Sequence, residues 1–342
     1  MWSFVNIPLS WLYALGVSTR HFLYDKHLML SHAVSVPTIC VGNLAVGGTG
    51  KTPMTEYLVR LMLENGYKPA VLSRGYKRSS RGYVLANKFA TVQDIGDEAM
   101  QLHLKFPDVP IAVCENRVKG VRFLQKMKEQ VDVVILDDAM QHRALRCGLT
   151  ILLTPYDQLY IDDHMLPWGM LRDLPSRALK ADAVVVTKCP DGMQPIDMRV
   201  VDNRLHLPTY QQLHFAGIEY EPIEHEGTPL VLCGIAQPKY LFEHVQKQFP
   251  HAELMAYRDH YQYKAKDIDA ILEKAKNFDF VLTTEKDLQR LRTTDFEERL
   301  AAQGKQLVAL PIRQYFCSPK ATFDRQVLTY VRENIIKVKG ER

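Results

Sequence analysis

Val36-Pro-Thr-Ile-Cys-Val-Gly-Asn-Leu-Ala-Val-Gly-Gly-Thr-Gly-Lys-Thr-Pro53 is the stretch whose reading decides the fold. It opens as a short apolar strand, Thr38 to Val41, and turns through Gly47, Gly48 and Gly50. It ends in Lys51-Thr52, with Pro53 where a helix would begin. Glycines let backbone N–H groups close around an anion, a lysine adds charge, and a threonine hydroxyl can reach a metal ion. Ala45, Val46, Gly47, Gly48, Thr49, Gly50, Lys51 and Thr52 therefore read as a nucleotide phosphate cradle. The general pattern is G-x-x-x-x-G-K-[ST], and Ala45 stands where its first glycine would be. A plain glycine-rich turn with an exposed lysine does not explain why a strand precedes it and a helix follows.

Outward from the cradle, strands and helices alternate. Thr55 to Asn65 has helical apolar spacing and stops at Gly66; Pro69 to Leu72 is a second strand. It runs into a basic loop carrying Arg74, Lys77, Arg78 and Arg81, a place for an anionic substrate or a solvated turn. Gly96-Asp97-Glu98 opens another helix, where the acids serve as caps or as chemistry. Pro110 to Cys114, Val131 to Leu136, Leu149 to Leu153 and Ala183 to Val186 are further strands. The expected class is α/β: a P-loop NTPase-like doubly wound sheet, whose ligands bind at the carboxyl ends of its strands.

The expected division is a P-loop domain at 34–207, a linker at 208–228, and a second, smaller α/β domain at 229–342, with Pro190, Pro195, Pro208, Pro222 and Pro229 breaking the pattern between the two domains. Residues 1–33 form the remaining segment, an N-terminal amphipathic helix. It crowds Trp2, Phe4, Trp11, Leu12, Leu15 and Phe22 beside Arg20 and Lys26, with Asp25 its only acid. Such a helix suits a membrane interface; packing on the protein's own core is the alternative. No apolar run is long enough to span a bilayer. A net charge of +4 is too small to argue for nucleic acid and suits a surface resting on anionic lipid. The six cysteines are scattered without a C-x-x-C pair, as buried reduced thiols would be.

Asp137-Asp138 ends the apolar strand Val133-Val-Ile-Leu136, where a carboxylate would meet Mg²⁺ in a nucleotide-binding sheet. Which of the two faces the metal stays open. His142 can contact substrate or be a satisfied polar group, and His260 lies in the second domain.

Gly42-Asn-Leu-Ala-Val-Gly-Gly-Thr-Gly-Lys-Thr-Pro53 resembles the signature of the tetraacyldisaccharide 4′-kinase family, the lipid A disaccharide kinases. So do Leu72-Ser-Arg-Gly-Tyr76, Gly96-Asp-Glu-Ala99, Asp137-Asp-Ala-Met-Gln-His-Arg143, Leu166-Pro-Trp-Gly-Met-Leu-Arg172, Asp259-His260 and Thr284-Glu-Lys-Asp287. The resemblance implies transfer of the ATP γ-phosphate to the 4′-hydroxyl of a tetraacylated, 1-phosphorylated glucosamine disaccharide. It implies Mg²⁺ and peripheral work at the cytoplasmic face of the bacterial inner membrane. Carried over by motif, Lys51 would neutralise the transferring phosphate, and Thr52 with Asp138 or Asp137 would bind Mg²⁺. Asp97 and His260 would prepare the sugar hydroxyl, and Arg172 would stabilise charge on the phosphates. Arg74, Arg117 and His142 would contact substrate. The chain departs from the pattern at Asp173, which replaces a glutamate and could still reach a magnesium-bound water, and at Met170, where proline is common. Two other classes compete: a membrane-positioning P-loop ATPase, disfavoured by Val46 where its signature lysine would stand, and a soluble small-molecule kinase with the N-terminal aromatics in its core.

Overall fold

The computed structural model describes residues 6–127, 130–235, 238–259, 261–317 and 319–340. Helix α1 (Asn6–Asp25) leads to β1 (Thr38–Asn43), the strand before the cradle. Then come α2 (Lys51–Glu64), β2 (Pro69–Ser73), β3 (Val84–Leu85), α3 (Val92–Ile95), α4 (Asp97–Lys105) and β4 (Ile111–Val113). After α5 (Arg117–Gln125) follow β5 (Val133–Asp137), β6 (Leu149–Pro155) and β7 (Ala183–Thr187), then α6 (Pro195–Leu205) and β8 (Gln212–Tyr220). A second run holds β9 (Pro229–Cys233), α7 (Pro238–Gln248), β10 (Glu253–Ala256), α8 (Ala265–Ala275), β11 (Phe280–Thr284), α9 (Glu285–Leu291), α10 (Phe296–Ala301) and β12 (Leu307–Leu310). The chain closes with β13 (Ile312–Phe316) and α11 (Lys320–Gly340).

Two sheets form among the described residues. The larger has the order β13-β8-β7-β6-β1-β5-β2-β4-β3, parallel except at its two edges. The smaller, β10-β9-β11-β12, is parallel throughout. The parallel strands are continuous apolar runs because helices or loops cover both faces. Val133 to Leu136 is the clearest case: Val133 and Ile135 enter one apolar cluster, and Val134 and Leu136 enter another. Strand β1 sits between β5 and β6, and the chain goes from it to β2 on one side and later to β6 on the other. That change of direction is where an open α/β sheet leaves a crevice for ligand.

The division expected from sequence needs three corrections. The 208–228 linker contains β8, which pairs with β7 and with β13 inside the large sheet. Its Phe215 and Ala216 point into clusters on opposite faces, so the strand is buried twice over despite the prolines around it. The 229–342 domain is not one body, because β13 and α11 return to the large sheet. Phe323, Val327 and Val331, at helical spacing, are fully buried in the same cluster as α2. Thirdly, Pro195 starts α6 instead of breaking structure, since proline at a first helical position forfeits no hydrogen bond. The cis peptide lies at Leu166–Pro167.

Helix α1 covers most of the 1–33 segment; residues 1–5 lie outside the described ones. Its outer face carries Leu9, Trp11 (70% exposed), Leu12 (65%), Leu15 and Phe22. Its inner face, at helical spacing, carries Ser10, Ala14, Val17, His21 and Tyr24, with Ser10, His21 and Tyr24 buried. No described helix is long and apolar enough to cross a membrane.

Candidate active site

The cradle takes its shape from two glycines. Gly47 has φ of 111° and Gly50 of 88°, a region that side chains with a Cβ rarely occupy. Gly50 is the residue before α2, so Lys51 and Thr52 stand in the first turn with that helix's free N–H groups. Val46 N–H donates to Met170 O at 2.8 Å, and Thr187 Oγ1 donates to Thr49 O at 2.8 Å, fixing the loop from both sides.

Pairing of Val41 with Asp137 in the sheet brings the end of β5 beside this loop. Asp137 is buried and accepts from Thr55 Oγ1 at 3.4 Å. Burial, with help from the nearby charges of Glu98 and Asp138, pushes its carboxyl up to about 7. Asp138 takes a left-handed backbone turn at φ 51°. Burial alone would raise its carboxyl, but Lys51, Arg172 and Arg117 together hold it below the usual carboxylate range. Arg172 grips it with both terminal nitrogens: Nη1 donates to Oδ2 at 3.0 Å, Nη2 donates to Oδ1, and Nη2 also reaches Asn43 Oδ1 at 2.5 Å. Such bidentate guanidinium–carboxylate pairs fix orientation as well as charge.

These groups line a cleft of ≈ 1760 Å³ between the two sheets. From the large sheet come the cradle, Arg74, Asp137, Asp138, Arg172 and Lys188; from the small one come Asp259 and Lys286. The halves meet through ion pairs on α4 and α9. Arg290 Nη2 donates to Asp97 Oδ2 at 2.5 Å, and Arg290 also holds Asp287 at 2.8 Å and Gly234 O at 3.1 Å. Lys105 Nζ reaches both Glu56, at 2.7 Å, and Glu285, at 2.8 Å. Lys286 lies 3.6 Å from Glu98 and 3.6 Å from Asp259.

The sequence-predicted residues divide into three groups. Cradle residues, Lys51, Thr52, Asp137, Asp138 and Arg172 converge on one end of the cleft. Asp97 is buried in the joint between the halves against Arg290, and His260, expected to partner it, lies outside the described residues. Arg74 lines the cleft, whereas Arg117 is buried, donating to Cys114 O at 2.9 Å and Asp138 O at 3.4 Å. His142 lies near it. Burial, then the positive charges of Arg117, Arg20 and Arg74, push its imidazole down to about 4. Its Nε2 and the Nε of Arg117 are buried without a hydrogen-bond partner. Asp173, read as a carboxylate near magnesium, instead turns to α1: its Oδ1 lies 2.5 Å from His21 Nε2.

Sequence reading missed Arg290, Lys188 and a role for Glu98 beyond capping. Arg290 follows the Thr284–Asp287 motif by one helical turn, and that spacing could have found it. Lys188 directly follows β7, where sheet ligands are expected, and faces the cleft with its ammonium disfavoured by burial.

Hard oxygen donors (Thr52, Asp137 and Asp138), with Glu98 adding negative charge, suit Mg²⁺. The elevated carboxyl of Asp137 reflects burial first and the neighbouring charges of Glu98 and Asp138 second, opposed by Lys51 and Arg117. No three His, Cys, Asp or Glu side chains converge tightly enough among the described residues to hold an ion by themselves. Magnesium at a phosphate site needs only one or two protein oxygens, the rest coming from phosphate and water.

A glycine-turned phosphate loop after a central parallel strand, an acidic pair on the adjacent strand and a facing cleft define a P-loop nucleotide enzyme. The model of the tetraacyldisaccharide-1-P 4′-kinase family matches residues 2–332, and the chain belongs to that family. It is 42% identical to the tetraacyldisaccharide 4′-kinase of Flavobacterium johnsoniae over 97% of this chain and 98% of that one. It is 40% identical to the tetraacyldisaccharide 4′-kinase of Bacteroides thetaiotaomicron over 96% of this chain and 93% of that one. Among solved structures it is similar to LpxK from Aquifex aeolicus in complex with ATP, with a TM-score of 0.71 and 27% identity, covering 95% of this chain and 98% of that one.

Proposed function

We propose that the protein transfers the γ-phosphate of ATP to the 4′-hydroxyl of tetraacyldisaccharide 1-phosphate, a step of lipid A biosynthesis. The observation that carries this reading is the convergence of Lys51, Thr52, Asp137, Asp138 and Arg172 at one end of the cleft in a chain of this family. The first turn of α2 and the cradle receive the phosphates, and Lys51 and Arg172 meet negative charge as it develops on them. Thr52 and one of the two aspartates would hold Mg²⁺, which would supply charge neutralisation on the phosphates.

The sugar 4′-oxygen forms its bond to the γ-phosphorus while the bond to the β-phosphate oxygen breaks and ADP leaves. The hydroxyl proton passes to the Asp97–His260 pair, which shares it as carboxylate and imidazole. Support for the pair is positional: Asp97 begins α4 and Asp259, next to His260, lines the cleft. The substrate's 1-phosphate is assigned to Arg74, which lines the cleft, with the charge of the buried Arg117 close to it.

Helix α1 is proposed to lie in the membrane surface, presenting Trp11, Leu12 and Leu15 to lipid, at the cytoplasmic face of the inner membrane. Its inverted pattern, polar bonds inward and large apolar groups outward, fits a helix whose outer neighbour is lipid. The test is incubation with labelled ATP, Mg²⁺ and purified tetraacyldisaccharide 1-phosphate, with the label's position read by phosphorus NMR. Label on the 4′-oxygen supports the reading; folded protein that transfers none, or transfers elsewhere, sinks it.

A further inference from the structure

Asp173 and His21 have no part in the reaction as described, yet both are buried polar residues, 2% and 5% exposed. They join the helix at the outer surface to the strand of chain that carries Arg172. The contact is built from both sides. Arg143 Nη1 lies 3.2 Å from His21 Nδ1 and donates to His21 O at 2.9 Å, and Arg143 Nη2 donates to Asp25 at 2.6 Å. A guanidinium has only donors, so Nδ1 accepts and Nε2–H is left to donate to Asp173. Asp173 Oδ1 also accepts from Leu174 N–H at 2.9 Å.

Two more bonds run the same way. Ser10 Oγ donates to Met165 O at 2.8 Å, and Tyr13 O–H donates to Arg172 O at 3.1 Å. The segment they grip is pinned on its other side to the entry of the cradle. Arg172 N–H and Asp173 N–H both donate to Leu44 O, at 2.8 and 3.2 Å, and Leu171 bridges to Ala45. The segment is therefore sandwiched between α1 and the phosphate loop, with the Arg172 guanidinium projecting from it onto Asp138. Helix α1 also touches the loop after Asp138, since Arg20 Nη2 donates to Gln141 O at 2.9 Å.

We infer that His21 is a positioning residue for phosphoryl transfer: through Asp173 it fixes the segment bearing Arg172, so that catalysis depends on α1 being seated. This rests on the reading of Arg172 as a group that meets the phosphates. It also explains why the carboxylate at 173 can be the short one. Its partner is a histidine on α1 and not an ion in the cleft. The inference separates two roles of α1: its outer face meets lipid and its inner face holds an arginine in register.

The test is a double-mutant cycle between His21→Leu and Arg172→Ala, with kcat, KM for the disaccharide in detergent micelles and vesicle binding measured for each. His21→Leu is expected to lower kcat about tenfold, leave KM and vesicle binding within about twofold, and cost less than about twofold more once Arg172 is alanine. His21→Gln, whose amide N–H can reach Asp173, should recover kcat to within about threefold of the wild type. Tyr13→Phe removes only a half-exposed hydroxyl. It should lower kcat about threefold in the wild type and not at all beside Arg172→Ala, which decides the question should His21→Leu not fold. Equal losses in both Arg172 backgrounds, loss confined to KM or vesicle binding, or a His21→Gln enzyme as slow as His21→Leu would overturn the inference. Full turnover by Arg172→Ala would remove the reading of Arg172 and the inference together.

Discussion

The two sheets are built alike and contribute differently. Each is a mainly parallel sheet between apolar clusters, and the described clusters stay separate except that Tyr220, at the end of β8, packs against one of the small sheet. The large sheet holds the cradle and acidic pair at the ends of strands buried on both faces, a rigid platform. The small sheet reaches the cleft through α7, α9 and loops, and among the described residues the joint includes the ion pairs Arg290–Asp97, Lys105–Glu285 and Lys286–Glu98 beside the stacking of Tyr220 on His244. Apolar joints resist separation over a wide area, whereas polar joints depend on geometry and can be exchanged for water. Under the proposed function, phosphate binding falls to the large sheet and hydroxyl activation to the joint between the halves.

That assignment can be broken most sharply at Lys51. Lys51→Ala should lower kcat/KM by about 10³-fold or more, with ATP affinity reduced in nucleotide-binding titrations, because the lysine acts on the phosphates themselves. Normal turnover would remove the phosphate role from the large sheet. Arg290→Met comes next. Asp97 would lose the buried guanidinium of Arg290, so unfolding free energy should fall by about 3 kcal/mol in denaturant titrations, with ATP binding unchanged. A stable Arg290→Met protein would show that the joint is not what holds Asp97. For α1, Trp11→Ser with Leu12→Ser should weaken binding to anionic vesicles at least about tenfold while leaving micellar turnover nearly intact. Unchanged vesicle binding would return the helix to the soluble reading.

The smallest effect is one of pH. The folded carboxyl of Asp137 lies near 7 against an ordinary 3.8. Between those values the unfolded chain releases a proton that the folded chain keeps, so the group costs stability that grows as pH rises and levels off above about 7. Asp137→Asn should therefore stabilise the metal-free protein relative to the wild type at pH 8 and change it little at pH 4. A variant equally stable relative to the wild type at both pH values would contradict the crowding of charge there.

The parts of the fold that depend on local pattern were legible. Val133–Leu136 and the glycines before Lys51 announce a buried parallel strand and a phosphate turn, because each needs its own residue types and little else. What depends on distant partners was not. Strand β8 looks like a linker until β7 and β13 are laid beside it, and α11 looks like part of the second domain until Phe323, Val327 and Val331 are seen in the large core. The site shows the same division. The cradle and Asp137-Asp138 are each contiguous in sequence and can be read as groups, while Arg290 meets Asp97 across 193 positions and cannot. Asp173 marks the limit of motif reading. Its place in the sequence suggests the metal, and its hydrogen bond, 152 positions away, is with His21.

The most direct measurement is single-turnover transfer of the labelled γ-phosphate by Asp97→Ala, His260→Ala and the double variant, with ATP affinity measured alongside. If the joint activates the hydroxyl while the large sheet holds the phosphates, each single change slows transfer by about 10²-fold or more, the double change adds little, and ATP affinity stays within about threefold. Losses that multiply, or that follow weakened ATP binding, would contradict that division of labour.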